Sequence, residues 1–332
     1  MRSLVFATLL ATTGLPMLAT AAEEVIVYSA RKEHLVKPLF KAFEDETGIK
    51  VKYTTDKAGP LLQRLKAEGK RTRADVLMTV DAGNLWHAAE EGVLQSTQSD
   101  VLAKRVPAHL RDPQNRWHGI SVRARTIVYN KEKLSGSDLS SYEDLADPKW
   151  KGRLCLRTSK KVYNQSLVAM LISHHGEQKA SQIVSGWVAN LAMPPFSNDT
   201  KTMQAVSAGQ CDVAIVNTYY FGRLEKKNPD INLKLFWPNQ QDTGVHVNIS
   251  GAGITRHAKN TASAKKLLEW LSSEKAQGML AGLNMEYPVS ESVEIPAQVK
   301  NWGSFKADQT NLAEAGRLQS AAIKLMDRAG YK

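Results

Sequence analysis

Residues 211–224, CDVAIVNTYYFGRL, determine how the rest of this 332-residue chain is interpreted. The apolar run 213–216 predicts a buried strand, and the polar turn expected after it carries two adjacent tyrosines, Tyr219 and Tyr220. A buried phenol needs a hydrogen-bond partner, so two neighbouring phenols are unusual in a hydrophobic core. They suit a hard, highly charged cation such as ferric iron, because a bound metal ion can remove the phenolic proton.

The segments around this strand alternate between strand patterns and helix patterns. Residues 25–29, 49–53 and 74–80 read as short strands, and apolar residues at helical spacing lie between them. Such alternation predicts an α/β fold with mixed, mainly parallel sheets. At the carboxyl ends of these strands, 29–31 and 79–84 are expected to face one site.

Two long extended segments divide the chain into two lobes. Residues 117–130 and 244–254 have the pattern of strands that cross from one half of the molecule to the other. We therefore expect a first lobe made of 22–124 with 250–332, and a second lobe made of 125–249. Two crossings around a complete second lobe describe a hinged pair of domains.

The N-terminal residues 1–21 predict a secretory signal peptide. They contain one positive charge, an uncharged apolar run and an Ala-x-Ala-like end. The formal net charge is +11, but lysine and arginine are spread along the chain. This distribution argues against a nucleic-acid partner and fits an anionic ligand, an acidic docking partner or a soluble surface.

The chain has two cysteines, Cys155 and Cys211. An even pair in an exported protein predicts a disulfide, and two buried free thiols are the alternative. Both cysteines lie beside strands of the second lobe. A bridge between them would join the tyrosine-bearing strand to its neighbour.

The tyrosines form the candidate metal site. Tyr129 ends the first crossing segment, and with Tyr219 and Tyr220 it would supply a third phenolate. Three phenolates neutralise Fe³⁺, and hard oxygen donors suit this cation. The alternative is that all three tyrosines are packing residues.

Several polar residues form a candidate anion site. Arg123 and Arg125 are two apart on an extended segment, so their side chains share one face and could clamp an oxyanion such as carbonate. A charged surface stripe is the alternative. Ser159, Asn198 and Asn217 occupy predicted turns beyond strands or helices, where hydroxyls and amides can also hold an anion.

Other classes of site find little support in the sequence. The eight histidines show no ligand-like spacing, which argues against zinc. The chain has no G-x-S-x-G, P-loop or Rossmann glycine motif, so we expect no enzyme.

The chain resembles the periplasmic ferric-iron-binding proteins, the substrate-binding subunits of iron ABC transporters. The resemblance rests on 27–31, 74–83, 123–125 followed by 128–130, 144–152, 164–167 and most specifically on VNTYY at 216–220. It implies a two-lobed periplasmic binding protein fold and Fe³⁺ bound by Tyr219 and Tyr220. It also implies a third tyrosine, matched to Tyr129, and a synergistic anion such as carbonate.

One departure from this family concerns the first lobe. Several members place a histidine, sometimes followed by a tyrosine, where this chain has Lys32 and Glu33, and His34 is two positions off. The first-lobe ligands, His34 or an acid near Asp81, are therefore left open.

The resemblance implies a monomer in the periplasm that delivers iron to an inner-membrane ABC transporter permease. The main alternative is a periplasmic binding protein of the same fold for a small anion or organic solute, with the tyrosines as walls. A secreted hydrolase is a further alternative, and no spacing of nucleophile and base supports it.

Overall fold

The structure is a computed structural model that describes residues 23–290 and 292–332. The signal peptide predicted at 1–21 lies outside the described residues. Among the helices described, none is both long and apolar enough to cross a membrane.

The described chain is an alternation of strands and helices. The strands are β1 Glu24–Ser29, β2 Lys50–Thr55, β3 Val76–Val80, β4 His118–Asn130, β5 Leu154–Cys155, β6 Val213–Asn217, β7 Leu233–Phe236 and β8 Val247–Ile254. The helices are α1 Glu33–Thr47, α2 Ala58–Glu68, α3 Ala82–Glu90, α4 Asp100–Arg105, α5 Val162–Ala189, α6 Asp199–Ser207, α7 Thr218–Lys227, α8 Thr261–Leu271, α9 Glu274–Asn284, α10 Ala297–Lys300, α11 Ala313–Arg317 and α12 Gln319–Arg328.

Strand β4 connects the two lobes. Its first part, from His118 to Ala124, pairs with β8 in the first lobe, and its second part, from Arg125 to Asn130, pairs with β6 and β7 in the second. Every residue of β4 is buried. The crossing predicted for this segment is confirmed.

The sheets are mixed, in the order β2-β1-β3-β8-β4-β6-β5 with β7 on β4. The pairs β1–β2, β1–β3 and β5–β6 are parallel. The antiparallel pairings involve β4 or β8, so the share of antiparallel pairs is larger than the sequence suggested. An extended strand that runs from one lobe into the other does not follow the parallel order of strand-helix-strand units.

The hydrophobic cores show where each lobe ends. The first core includes Val245, Val247 and Ile249, which the sequence had assigned to the second lobe. The second core includes Leu325 and Met326 of α12, which the sequence had assigned to the first lobe. The reason is that α12 packs its apolar face against α5, a long-range contact that local patterns do not reveal.

The disulfide joins Cys155 and Cys211, with 5.9 Å between their Cα atoms. Cys155 ends β5, which pairs with β6, and Cys211 lies two residues before β6. The bridge therefore ties the strand that leads to the tyrosine pair to its neighbour, as predicted.

Candidate functional site

Tyr219 and Tyr220 lie in the first turn of α7, directly after β6. The sequence predicted a polar turn here, whereas the chain enters a helix at Thr218. The two rings contact each other, with centroids 4.4 Å apart. Because a helix follows the strand at once, both phenols are held at the carboxyl edge of the second sheet.

A third phenol, Tyr163, reaches the same place from the first turn of α5. The three tyrosines line one cavity of about 170 Å³ between the lobes. Its other lining residues are Ala30, Arg31, Lys32, Leu35, Val80, Arg123, Arg223, Asn284 and Glu286. The sequence analysis missed Tyr163.

Tyr129, which the sequence predicted as the third ligand, does not line this cavity. In the β4–β6 ladder, Tyr129 pairs with Val213, whereas Arg125 pairs with Asn217, the residue next to α7. Tyr129 is therefore about 14 Å along the strand from the end that carries the tyrosine pair, at ~3.4 Å per residue. Its side chain lines a separate depression with Lys131 and other residues of the second lobe.

Two of the phenols, those of Tyr163 and Tyr219, have a raised pKa. Burial, reinforced by the neighbouring phenols of Tyr163 and Tyr220, raises the pKa of Tyr219 well above its usual value. Burial also raises the pKa of Tyr163, although the Arg123 guanidinium opposes this effect. A ligand that needs phenolate oxygens must therefore displace protons, and a strongly charged metal ion can do so.

Three guanidinium groups surround the phenol rings. Arg123 lies 5.3 Å from the centroid of Tyr163, and Arg157 lies 5.3 Å from the same ring. Arg223 lies 5.2 Å from the centroid of Tyr219 and hydrogen-bonds Asn284 of the first lobe. This positive charge favours the phenolate form of the tyrosines and would also attract an additional anion.

Arg123 is buried and held by the first lobe. It donates to the Ser250 hydroxyl at 3.1 Å and to the Ile249 carbonyl at 2.8 Å. Its Nε atom, like those of Arg31, Arg125 and Arg157, is buried without a hydrogen-bond partner among the described residues. Arg31 and Arg123 also line the cavity, where a buried cation with a spare donor can hold an anion.

Asp199 organises the arginines of the second lobe. Its carboxylate pairs with Arg125 at 3.2 Å and with Arg157 at 3.3 Å, and it accepts from the backbone N–H of Asn217 at 2.9 Å. Arg125 is therefore a buried structural residue, and it does not join Arg123 in a clamp. The Asn217 amide in turn donates to the Tyr219 hydroxyl at 3.4 Å, so the network ends at the site.

Three of the predicted anion-binding residues, Ser159, Asn198 and Asn217, do not line the cavity. Asn198 is the N-cap of α6 and accepts from the backbone N–H of Lys201 at 2.9 Å. The backbone of Ser159 bonds to Lys332 and Gln165. Ser159 and Asn198 thus have structural roles. Arg123 lines the cavity, and Asn217 contacts one of its phenols.

The first lobe contributes charged residues to the cavity wall, and neither open candidate ligand is among them. Arg31 forms a buried ion pair with Glu286 at 3.1 Å. His34 is exposed on α1, and the buried Asp81 carboxylate bonds to Gly83 and other neighbours. Within residues 23–290 and 292–332, no three His, Cys, Asp or Glu side chains are grouped to hold a metal.

Comparisons with known proteins identify the family of this chain. Residues 72–309 match the family model described as bacterial extracellular solute-binding protein. The chain is 45% identical to iron uptake protein A1 of Synechocystis over 93% of this chain and 88% of that protein.

Solved structures give the same result. A Trichodesmium FutA in complex with iron and citrate superposes with a TM-score of 0.90 at 45% identity, covering 93% of this chain and all of that one. The ferric iron-binding protein A of Mannheimia haemolytica, in an open conformation, has a TM-score of 0.88 at 40% identity, covering 93% of this chain and 99% of that one. The chain therefore belongs to the bacterial extracellular solute-binding proteins, among the non-enzymatic ferric iron-binding proteins that serve iron ABC transporters.

Proposed function

We propose that the cavity binds Fe³⁺ through the phenolate oxygens of Tyr163, Tyr219 and Tyr220. The observation that carries this proposal is the convergence of three phenols from two helix N-termini on one cavity of about 170 Å³. Three phenolates balance the charge of a ferric ion, and hard anionic oxygens are the donors it prefers. Tyr163 takes the part that the sequence analysis gave to Tyr129.

A synergistic anion would complete the coordination. Support comes from Arg123, which has a buried donor without a partner, and from Arg223 and Lys32, which also line the cavity. With three phenolates and Fe³⁺ neutral as a group, these cations leave a positive excess that one small anion would offset. Carbonate and a carboxylate such as citrate share this chemistry, and the Trichodesmium relative was solved with iron and citrate.

The bound ion would be carried in the periplasm to an inner-membrane ABC permease. Support comes from the family, whose members are extracellular solute-binding proteins. Opening and closing would be a hinge motion at the point where β4 passes from one sheet to the other. The same motion would expose the cavity for release.

Iron titration of the purified apo-protein tests this proposal. Phenolate-to-iron charge transfer should give a visible band that saturates at one iron per chain and disappears with acid or a strong chelator. Parallel titrations with bicarbonate, with citrate and with neither anion distinguish the two anion classes. Absence of the band at every condition would contradict iron binding and favour a binding protein for a small anion or organic solute.

A further inference from the structure

The buried loop between β3 and α3 carries a non-glycine residue with an unusual backbone. Asp81 has φ 75°, in the region that favours glycine, and its side chain is fully buried. Residues with such backbones persist only where surrounding contacts hold them, and they cluster at functional sites. Asp81 therefore calls for an explanation beyond ordinary packing.

Capping of α3 does not account for all the contacts of Asp81. Its Oδ1 accepts from the Gly83 backbone N–H at 2.9 Å, which satisfies the cap. The Asn248 amide donates to Oδ2 at 3.0 Å, and the Ser166 hydroxyl donates to Oδ1 at 2.7 Å. An N-cap normally adopts an extended backbone, and it needs neither of these two bonds.

The bond to Ser166 crosses between the lobes. Asp81 precedes α3, which packs on the first sheet, whereas Ser166 lies in α5, in the second core. Ser166 is three residues after Tyr163, so the two side chains are neighbours along one side of the helix. The contact thus fixes the helical turn that carries one of the three phenols.

Arg123 connects the same two groups. Burial raises the pKa of Asp81, and the positive charge of Arg123 opposes this rise; the Arg123 guanidinium also lies 5.3 Å from the centroid of the Tyr163 ring. Asp81, Ser166 and Arg123 are buried, and Arg123 and Tyr163 line the cavity. The Asp81 carboxylate thus contacts the helix of Tyr163 through Ser166 without lining the cavity itself.

We propose that Asp81 is a first-lobe positioning residue for Tyr163, acting through Ser166. This inference rests on the proposed iron function. The first lobe would then shape the iron site through a hydrogen bond to the ligand-bearing helix, with no first-lobe metal ligand. Loss of the Ser166 hydroxyl would release the first turn of α5 and move the Tyr163 oxygen away from the position it shares with the tyrosine pair.

Ser166→Ala tests the proposal, with Ser185→Ala as the matched control at an exposed position in the part of α5 that follows the break at Gly176. We expect Ser166→Ala to weaken iron binding about tenfold or more, the loss of one hydrogen bond to a charged group. We also expect a shifted or weaker charge-transfer band per bound iron, because fewer phenolates reach the metal. Ser185→Ala should match the wild type in both readouts.

A double-substitution cycle separates positioning from a general effect on the fold. In the Tyr163→Phe background, Ser166→Ala should change iron affinity by less than about threefold, since the oxygen it positions is already gone. An additive loss would overturn the inference, as would a wild-type band in Ser166→Ala. If the wild type itself shows no band, the proposed function fails and not this inference alone.

Discussion

Met285 and Trp302 pack against the helix that carries the tyrosine pair, at Gly222. Gly222→Ala tests how much this packing contributes to stability and to iron binding. A Cβ atom added at Gly222 would lie 2.6 Å from the Met285 sulphur and 2.7 Å from the ring of Trp302. The Met285 side chain can move, but the Trp302 indole is rigid and its Nε1 donates to Glu225 at 3.0 Å. The added methyl group therefore forces the helix and the tryptophan apart.

The expected magnitude follows from two opposing effects. Overpacking in a dense region costs about 1–3 kcal/mol. Replacing a helical glycine by alanine gains about 0.5–1 kcal/mol. We therefore expect Gly222→Ala to lower the free energy of unfolding by about 1–2 kcal/mol. Because Tyr219 and Tyr220 are on the same helix, iron affinity should fall as well.

Gly278 provides the control, because it is exposed within α9 and an added Cβ would meet nothing within 4 Å. Gly278→Ala should raise the free energy of unfolding by about 0.5–1 kcal/mol and leave iron binding unchanged. Urea unfolding of the two apo-variants and chelator competition of the iron-loaded forms measure both quantities. A Gly222→Ala variant as stable as Gly278→Ala would refute the reasoning.

Three further predictions follow from other contacts. Replacing Cys155 and Cys211 with alanine removes the bridge and frees a loop of 56 residues. Urea unfolding should then show a free energy of unfolding lower by about 4 kcal/mol. A decrease of less than about 1 kcal/mol would contradict this prediction. His174 donates to Asp308 at 2.7 Å, and this bond raises the pKa of His174, while Asp308, although partly buried, has a lowered pKa. The contribution of His174 to the free energy of unfolding is present below its unfolded pKa of ~6.5 and is lost as pH rises through the higher folded pKa. The contribution of Asp308 is lost as pH falls into the acid range. His174→Ala should thus cost about 1 kcal/mol near pH 5.5 and less near pH 9 in unfolding experiments, and an equal cost at both would disprove the assignment. The raised pKa of Tyr219 means that iron must displace its phenolic proton. Iron affinity, measured by chelator competition, should therefore fall as pH decreases, by up to about tenfold per pH unit for each proton displaced. An affinity that does not change with pH would contradict phenolate binding.

Local sequence patterns predicted the architecture well because each strand and helix of an α/β fold carries its own periodicity. The crossing at β4 was also visible, since thirteen residues without a turn exceed the length of an ordinary strand in one small sheet. The placement of α12 was not visible. The apolar face of α12 indicates that this helix packs against a core, but it does not indicate which lobe provides that core.

The site was predicted in part for a similar reason. Tyr219 and Tyr220 could be found because they directly follow an apolar strand, where ligands collect in α/β folds. Tyr129 also belongs to a strand, but β4 runs antiparallel to β6, so its end lies at the opposite edge of the sheet. Strand direction depends on pairing, which the sequence does not state.

Tyr163 had a local signal that was not used. It is the second residue of α5 and lies in the first turn of a helix that follows a strand of the second sheet, as the tyrosine pair does in α7. A search for hydroxyl-bearing residues at every helix start after a strand would have found it.

The most direct test of the central claim is the charge-transfer spectrum of iron-loaded protein in which each tyrosine is replaced in turn by phenylalanine. Tyr163→Phe, Tyr219→Phe and Tyr220→Phe should each shift or weaken the band and lower iron affinity, whereas Tyr129→Phe should leave both as in the wild type. A Tyr129→Phe variant that loses the band, or a Tyr163→Phe variant that keeps it unchanged, would contradict the account.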